Sequence, residues 1–304
     1  MPVSRPEKEL WAGVTKGDLA RYLGAVAPVM LPHIEGRALS VVRMPNGPGE
    51  EMWFQKHAPK WAPDWLPRVR LPSGGPKGPI TFLMAAEARH LVWFAGQAAV
   101  EFHVTTSPSD EFSHPDQFVL DIDPPPEAPI AEAVDAAHAL RAALAEHGLD
   151  GAAKTSGGKG LHIHVPIVRG PAADDVRQVA RHFCHAVADA QPERYTVEML
   201  KVDRHGRTFL DWTRNGAAMS AVAPWSPRAR EGAPVAMPLR WEEVTHDLDP
   251  HAFTVLTALE RATGGSGLAS GPWDGVWPTE PFSIDGLPRE TSPEPDRFGR
   301  KPKG

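Results

Sequence analysis

The feature that most constrains this chain is how often proline and glycine interrupt it. The 304 residues include 33 prolines and 27 glycines, and both residue types tend to end helices and strands. Between the interruptions lie short β-type runs such as ALSVVR (38–43), EMWFQKH (51–57) and PITFLM (79–84). These runs predict short strands joined by proline- and glycine-rich connections.

Longer segments with helical spacing occur among the strands. Thr15, with Asp18 three residues later, has the spacing of a capping box and predicts a helix that continues to about Met30. Further helices are predicted over 86–100, 129–147, 173–190 and 250–263. Further strands are predicted over 100–105, 116–123, 152–158, 161–168 and 218–223, with a hairpin of 196–202 and 207–213 around 203–206. Because the elements mix without a regular βαβ repeat, the predicted fold class is α+β, or mixed α/β.

Composition excludes several kinds of protein. The single cysteine, Cys184, rules out a disulfide framework and a multi-cysteine zinc site. No stretch has the apolar length of a membrane span, and the N-terminus lacks the apolar segment of a signal peptide, so a cytoplasmic protein is expected. One body is expected over 1–264, followed by a Pro- and Gly-rich extension, 265–304, that is irregular or partly disordered.

Charge is unevenly distributed along the chain. The net charge is −6, which argues against nonspecific coating of nucleic acid. Residues 1–100 nevertheless carry 12 Lys and Arg against 8 Asp and Glu, whereas 101–304 carry 20 against 30. The pattern is compatible with basic regions around an acidic centre, and equally with ordinary uneven surface charge.

Two aspartates stand at the end of a predicted strand in FVLDIDPPP. Asp121 and Asp123 are two residues apart, so both carboxylates project to one face of the strand. Like charges held this close repel each other unless a cation or protons lie between them. Asp211, at the end of the apolar run RTFL, is a candidate third acid. Such oxygen ligands suit divalent ions that promote phosphoryl transfer, although the same pattern also occurs in exposed turns.

The segment TSGGKG (155–160) combines exposed backbone N–H groups with the hydroxyl of Ser156 and the ammonium of Lys159. These are the components of an anion-binding site. The segment is not a P-loop, because a strand rather than a helix follows it. His162 and His164 share one face of that strand. We expect His162 to bind a phosphate and His164 to be structural, since the downstream acid of a metal-binding H-x-H site is missing.

The three motifs D-x-D, S-G-G-K-G-L-H and D-W, in this order and spacing, resemble the polymerase domain of bacterial ATP-dependent DNA ligase D, in the archaeo-eukaryotic primase superfamily. Further similar segments are PEKELWAGVTKGDLARY, LPHIEGR, WFQKHAP, APDWL and AVAPWSPRAR, so the resemblance covers about residues 4–245. It implies a primase-like catalytic core over 1–264, with central antiparallel or mixed sheets flanked by helices. It also implies a nucleotidyltransferase that uses two divalent ions, Mn²⁺ or Mg²⁺, with Mn²⁺ and ribonucleotides favoured.

The resemblance also implies roles for individual residues. Asp121, Asp123 and Asp211 match the catalytic, metal-binding triad. The matches to nucleotide-binding positions are Ser156, Gly157, Lys159, His162, His103 and Arg228. The matches to DNA-binding positions are Lys8 and Lys16 for a 5′-phosphate, Trp53 and Phe54 for template bases, and Arg204 in the turn of the predicted hairpin. As neighbours on a strand, Trp53 and Phe54 are expected to point to opposite faces, with one of them in the core.

Two residues depart from the pattern of that family. Arg5 stands where relatives often have Asn, which keeps a donor and adds charge, and Arg214 stands where a relative has Gln. The chain also ends at residue 304 without a ligase or nuclease segment. We therefore expect a separate ATP-dependent DNA ligase as a partner, and a Ku-like end binder is a further candidate.

The function expected from these features is DNA-dependent addition of ribo- or deoxynucleotides at short gaps or broken ends that carry a 5′-phosphate, in end joining or excision-type repair. Two alternatives remain open. A metal-dependent phosphoesterase could use the same acids, although it would not need a triphosphate site. A catalytically silent module could bind DNA ends and recruit a repair ligase, although it would not need all three aspartates.

Overall fold

Two six-stranded sheets form the centre of the computed structural model, which describes residues 2–47, 49–72, 78–263, 273, 277–278 and 280–293. The strands of the first sheet are β3 (Leu39–Arg43), β4 (Trp53–Gln55), β5 (Arg68–Leu71), β6 (Ile80–Leu83), β7 (Ala99–Val104) and β13 (Ala221–Val222). Its order is β13–β7–β3–β6–β5, with β4 also paired to β3, and every pairing is antiparallel. A short ribbon of β1 (Glu9–Trp11) and β2 (Val14–Thr15) precedes it.

The second sheet has the order β11–β12–β8–β10–β9–β14. Its strands are β8 (Gln117–Asp123), β9 (Ala152–Thr155), β10 (Leu161–Pro166), β11 (Tyr195–Thr196), β12 (Thr208–Asp211) and β14 (Pro238–Leu239). The residues of β8 alternate between faces, so Leu120 and Ile122 are buried in the core and Asp121 lies on the opposite side. Because of this alternation, the side chains of Asp121 and Asp123 point away from the core.

Five helices surround the sheets, namely α1 (Lys16–Ile34), α2 (Ala88–Gly96), α3 (Ile130–Ala145), α4 (Ala173–Ala190) and α5 (Ala258–Thr263). α1 packs against α2, while α3 and α4 pack against the second sheet. The predicted capping box is confirmed: the Asp18 N–H donates to the Thr15 hydroxyl, and the Thr15 N–H donates to the Asp18 carboxylate. α1 continues past the predicted end at Met30, because its last turn buries Ile34 in the core.

The predicted hairpin around residues 203–206 is wrong. β11 and β12 pair in parallel, with Tyr195 opposite Thr208. The connection between them contains a 3₁₀ turn, Lys201–Arg204, and Arg204 donates hydrogen bonds to the carbonyls of Glu198 and Met199. These contacts fold the connection on itself, so the chain returns to the start of β11 instead of running back alongside it.

The helix predicted over 250–263 is only partly present. A 3₁₀ turn, Pro250–Ala252, is separated from α5 by two residues in extended or bridging backbone, Phe253 and Thr254, and by a turn over 255–257. The Val235 N–H donates to the Phe253 carbonyl, and Pro234 forms an isolated bridge with Thr254. Backbone pairing with another segment therefore replaces helical hydrogen bonds there. The strand β5, RVRL, was not predicted although its charged and apolar residues alternate.

The described residues beyond 264 lie against the body of the protein. Trp273 is buried and its Nε1 donates to the Ala153 carbonyl at 2.8 Å. Phe282 forms an isolated bridge with Ile167, and Ile284 is buried. The rest of the predicted extension, 265–304, lies outside the described residues. In the parts of the chain that the structure describes, no helix is both long and apolar enough to cross a membrane.

Candidate active site

The three predicted acids lie on one face of the second sheet. Asp121 and Asp123 are on β8, and Asp211 is directly opposite Asp121 on the neighbouring strand β12. Partners across an antiparallel pair project to the same side. The sheet therefore brings Asp211 beside the two carboxylates of the neighbouring strand. Asp211 lies 88 residues after Asp123 in the sequence.

Two arginines neutralise these carboxylates. Arg214 contacts Asp121 at 3.4 Å and Asp211 at 3.1 Å, so its guanidinium bridges the two strands. Arg204 donates to the Asp123 carboxylate at 2.9 Å. Among the described residues, no group of three His, Cys, Asp or Glu side chains is arranged to hold an ion without rearrangement. Asp121 and Asp211 are the residues that would hold a cation here, and in this structure Arg214 supplies the positive charge beside both.

The Asp121 carboxylate lies in an electrostatically unfavourable position. Burial and the nearby Asp211 raise its pKa to about 7, although Arg214 opposes this shift. A carboxylate in this condition gains from a neighbouring positive charge, because the charge removes both the repulsion and part of the desolvation cost. The oxygen donors on this face therefore fit a hard divalent ion, which would replace the compensating charge of Arg214.

A polar row extends from the acids across the sheet. In the pairing register, Asp121 is opposite His162 on β10, and His162 is opposite Lys154 on β9. The His162 Nε2 lies 3.3 Å from the Asp121 carboxylate, and burial holds the pKa of His162 well below its usual value. His162 thus contacts an acid and also lines the cavity described below, and its predicted contact with a phosphate stays a prediction. His164 is buried, and its Nδ1 lies 2.9 Å from the Gln117 side-chain oxygen.

Lys154 was missed in the sequence analysis. It is fully buried and its Nζ donates to the Thr155 carbonyl at 3.3 Å. Burial, with the charge of Arg228, holds its pKa well below the usual range, while Asp121 acts in the opposite direction. The pairing of the two strands around the glycines would have revealed it, because that register places Lys154 beside His162.

The glycine-rich segment turns tightly between β9 and β10, the two strands that were predicted on either side of it. The Ser156 N–H donates to the Gly160 carbonyl at 2.8 Å, and Gly157 has a φ of +71°. A Cβ at Gly160 would lie 2.4 Å from the Ile122 carbonyl oxygen, and one at Gly157 would lie 2.4 Å from Cγ of Arg228. The glycines are therefore required for the close approach of β8 and of Arg228 to this turn.

The predicted nucleotide-binding residues do not all reach the cleft. A cavity of about 270 Å³ lies above the acids. It is lined by Asp121, Asp123, Asp211, His103, Ser156, His162, Phe209, Ser220, Ala221, Val222 and the arginines 204, 214, 228 and 230. Lys159 and Gly157 are not among the lining residues. The Lys159 ammonium instead donates to the Pro126 carbonyl.

Glu101, on β7, joins the first sheet to the segment that carries Arg228, and sequence reasoning did not identify it. Its carboxylate accepts a hydrogen bond from His103 Nε2 at 2.9 Å and from the Ala229 N–H at 2.8 Å, and it lies 3.1 Å from Arg228 Nε. Arg228 also donates to the Ser156 carbonyl. Burial alone would raise the pKa of Glu101, but the hydrogen bond from His103 and the charge of Arg228 lower it to about 2. Glu101 thus holds His103 and Arg228 in fixed positions.

The two predicted phosphate-binding lysines are neighbours, because the backbone N–H of Lys16, at the start of α1, donates to the carbonyl of Lys8, just before β1, at 2.8 Å. Lys16 is buried, and its Nζ donates to Ser4 at 3.2 Å and to the Gly96 carbonyl at 3.4 Å. Burial and the charges of Arg5 and Lys8 lower the pKa of Lys16. Arg5 has a φ of +48°, which is uncommon for a residue with a side chain. The cluster is therefore rich in positive charge and suited to an anion.

Trp53 and Phe54 project to opposite faces of β4, as predicted, but the expectation that one of them is in the core is wrong. They are 39% and 46% exposed. The Phe54 ring lies 5.2 Å from the His103 ring, on the side of the cleft, whereas Trp53 is beside Arg43. β4 has only β3 as a partner among the described strands, so it is an edge strand, and the exposure of both rings shows that neither of its faces is fully covered. Arg204 lies in the 3₁₀ turn between two parallel strands, not in the turn of a hairpin, and its side chain lines the cavity.

Comparisons with known proteins agree with this architecture. The model of the LigD primase-polymerase domain matches residues 15–268. A multifunctional non-homologous end joining protein LigD of Mycolicibacterium smegmatis is 34% identical over 249 residues, which are 80% of this chain and 32% of that protein. The bifunctional LigD of Bacillus subtilis is 32% identical over 250 residues, 81% of this chain and 39% of that protein. The chain thus spans about a third of the length of these curated relatives.

A solved structure gives the same result for the fold. The polymerase domain of Mycobacterium tuberculosis Ligase D, in complex with DNA, superposes with a TM-score of 0.81 at 30% identity. The match covers 88% of this chain and 96% of that domain, which confirms the predicted mixed α and β fold class. The chain therefore belongs to the LigD primase-polymerase family and is a nucleotidyltransferase.

Proposed function

We propose that this protein is a DNA-dependent polymerase that adds nucleotides at short gaps or broken DNA ends carrying a 5′-phosphate. The observation that supports this most strongly is one cleft that contains three carboxylates and four arginines. Carboxylates bind the divalent ions that promote phosphoryl transfer, and arginines neutralise phosphate oxygens. A hydrolase acting on DNA would need the acids, but it would not need a site for a triphosphate beside them.

The residues of the cleft form two groups, one for the nucleotide and one for the divalent ions. Arg228 and Arg230, with the hydroxyl of Ser156, would bind the triphosphate, because all three line the cavity beside the glycine-rich turn. His103 would contact the incoming nucleotide from the first sheet, held by Glu101. His162 remains neutral and fixes the orientation of the Asp121 carboxylate. Lys159 contributes only if it leaves the Pro126 carbonyl.

Asp121, Asp123 and Asp211 would hold two divalent ions, Mn²⁺ in preference to Mg²⁺, which when bound favour deprotonation of the primer 3′-hydroxyl and stabilise the departing pyrophosphate. In the protein itself, Arg214 and Arg204 place positive charge beside these carboxylates. Ribonucleotides are the proposed preferred substrates, with deoxynucleotides also accepted.

The DNA would lie across the first sheet. Lys8, Lys16 and Arg5 form a cationic pocket for the 5′-phosphate at the far side of a gap. Phe54 is placed beside His103 where a template base can stack on it. A separate ATP-dependent DNA ligase would seal the filled gap, a Ku-like protein would hold broken ends, and the reaction would take place on chromosomal DNA in the bacterial cytoplasm.

The test is nucleotide addition to a fluorescent primer on a one-nucleotide gap with a downstream 5′-phosphate, in the presence of Mn²⁺ and either ribo- or deoxynucleotides. We expect template-directed addition that is weaker without the 5′-phosphate. Asp121→Ala/Asp123→Ala should abolish it, whereas the matched change of an exposed acid, Asp247→Ala, should not.

Each alternative function gives a different result in the same assay. Shortened primers would contradict the polymerase and indicate a metal-dependent phosphoesterase. Tight binding that depends on the 5′-phosphate, with an unchanged primer, would indicate a silent end-binding module. Equal addition of ribo- and deoxynucleotides would contradict the proposed sugar preference alone.

A further inference from the structure

Exposed tryptophans cluster on the side of the first sheet that faces away from the cleft. Trp53, Trp61 and Trp65 are 39%, 56% and 41% exposed. An exposed indole leaves a large apolar area in contact with water, which is unfavourable. Several such rings on one surface are typical of a binding site.

Two arginines lie against these rings. The guanidinium carbon of Arg43 is 5.1 Å from the ring centre of Trp53 and 5.6 Å from that of Trp61. The guanidinium carbon of Arg89 is 5.5 Å from the ring centre of Trp65. We refer to Trp53, Arg43, Trp61, Trp65 and Arg89 as the tryptophan–arginine track.

Helix α2 supports the track along its length. The Trp65 ring stacks on His90, near the first turn, with ring centres 5.7 Å apart and planes inclined by 19°. The Trp61 ring lies 5.9 Å from Trp93 in the middle of the helix, and Arg43 Nε donates to the carbonyl of Gln97 just after its end. Nine helical residues span about 13 Å, which is the length of about four nucleotide steps.

The track adjoins the proposed phosphate pocket. Lys16 donates to the carbonyl of Gly96, and Arg43 donates to the carbonyl of the next residue, Gln97. On the opposite face of β4, Phe54 faces His103 and the cleft. The track therefore begins beside the 5′-phosphate pocket, one residue of β4 away from the proposed template position.

The charge of the track is incompletely neutralised. Arg43 bonds a backbone carbonyl and the Gln55 side chain, and no carboxylate of the described residues is within ion-pair distance of it. Arg89 pairs with Glu87 at 2.9 Å, although both side chains are more than half exposed. Flat apolar rings that alternate with guanidinium groups complement a ligand with flat bases and negative phosphates.

We infer that the tryptophan–arginine track binds single-stranded DNA, namely the unpaired strand that extends outside the cleft from a duplex end held at the 5′-phosphate pocket. Unpaired bases expose the ring faces that stack on indoles, whereas bases in a duplex do not. This inference rests on the proposed gap-filling function, which supplies the DNA, but it concerns a surface outside the cleft.

The test is a binding measurement with the full chain, without metal or nucleotide. Fluorescein-labelled duplexes carry a recessed 5′-phosphate and a 3′ single-stranded extension of zero, two, four or six nucleotides, and anisotropy gives the dissociation constants. We expect affinity to rise by about tenfold or more between no extension and four nucleotides. Trp61→Leu/Trp65→Leu should remove this rise and leave binding to the duplex without an extension unchanged.

Further variants separate stacking from folding. Trp61→Phe/Trp65→Phe keeps aromatic rings and should restore part of the rise, whereas Leu256→Ala, at a side chain 57% exposed elsewhere, should change nothing. Three results would overturn the inference. The affinity of the wild type could be independent of extension length, as expected of a protein-docking surface. In Trp61→Leu/Trp65→Leu, the affinity could still rise with extension length, or it could fall equally for every duplex. Failure of nucleotide addition on a gap, with the rise intact, would instead contradict only the proposed function.

Discussion

The two sheets of this protein present very different surfaces to the space between them and to solvent. The second sheet carries a row of charged and polar side chains, Asp211, Asp121, His162 and Lys154, on adjacent strands of one sheltered face. The first sheet carries aromatic rings at an exposed strand, with Phe54 on one side and Trp53 on the other.

This difference follows from what each surface is proposed to bind. Charges that hold ions and phosphates must be fixed and partly dry, since burial strengthens their interactions. Rings that stack on bases must remain open, because any covering side chain would take the place of the base. We therefore expect substitutions in the second sheet to affect catalysis, and substitutions in the first sheet to affect DNA binding.

The largest expected effect tests this division directly. Asp211→Asn removes one charge of the acid cluster without changing side-chain size, so the turnover number should fall by at least about a hundredfold. Binding of a gapped duplex with a 5′-phosphate should be within about twofold of wild type. Single-turnover primer extension and anisotropy measure the two quantities. Loss of DNA binding in this variant would show that catalysis and DNA binding are not separated between the two sheets.

Glu101 lies on the first sheet but contacts His103 and Arg228, which line the cleft. It therefore tests whether a residue of the first sheet can affect catalysis without affecting DNA binding. Glu101→Gln removes the charge that holds Arg228 and weakens the acceptor for His103. The KM for the nucleotide should rise by about tenfold or more, since hydrogen bonds to charged groups are among the strongest. The turnover number should change less and DNA affinity should not change. An equal effect of Glu101→Gln and Ser107→Ala on the KM would contradict this positioning role.

Phe54 and Trp53 allow the two faces of one strand to be compared. Phe54→Ala should weaken addition opposite a templating base by about tenfold, because it removes a stacking ring beside His103. Trp53→Ala should leave addition on a one-nucleotide gap nearly unchanged and reduce affinity for long single-stranded extensions. Equal losses for both variants on both substrates would contradict the assignment of the two faces.

The smallest expected effect concerns the stability of the metal-free protein. Asp121 has a pKa raised to about 7 by burial and by Asp211, so the folded protein keeps a proton that the unfolded chain releases near pH 4. Stability should therefore fall as the pH rises from about 4 to about 7 and level off above that. Asp121→Asn should reduce this fall and raise the melting temperature at pH 8 by about 2–4 °C for each kcal/mol of relieved strain.

Differential scanning calorimetry with a chelator measures this pH dependence. Asp247→Asn is the matched control, because that acid is exposed. A melting temperature that rises between pH 5 and pH 8 in the wild type, with Asp121→Asn identical, would show that Asp121 is not strained.

Much of the fold could be predicted because local patterns agreed with the tertiary structure. The predicted helix over 173–190 is α4, and the strands on both sides of the glycine-rich segment are β9 and β10. The false hairpin and the false start of the last helix have a common cause. In the first case, β12 pairs in parallel with β11 and not as the second strand of a hairpin. In the second case, the Val235 N–H donates to the Phe253 carbonyl, where hydrogen bonds within a helix were expected.

The sequence by itself determined the acids, the glycine-rich turn and the resemblance to a polymerase family, because each depends on residue types at short spacing. Only the tertiary structure placed Asp211 opposite Asp121 and buried Lys154 completely. It also joined Glu101 to His103 and Arg228, and gathered the tryptophan–arginine track along α2. Strand register and helix packing bring together residues far apart in the chain, and short-range patterns contain no information about such contacts.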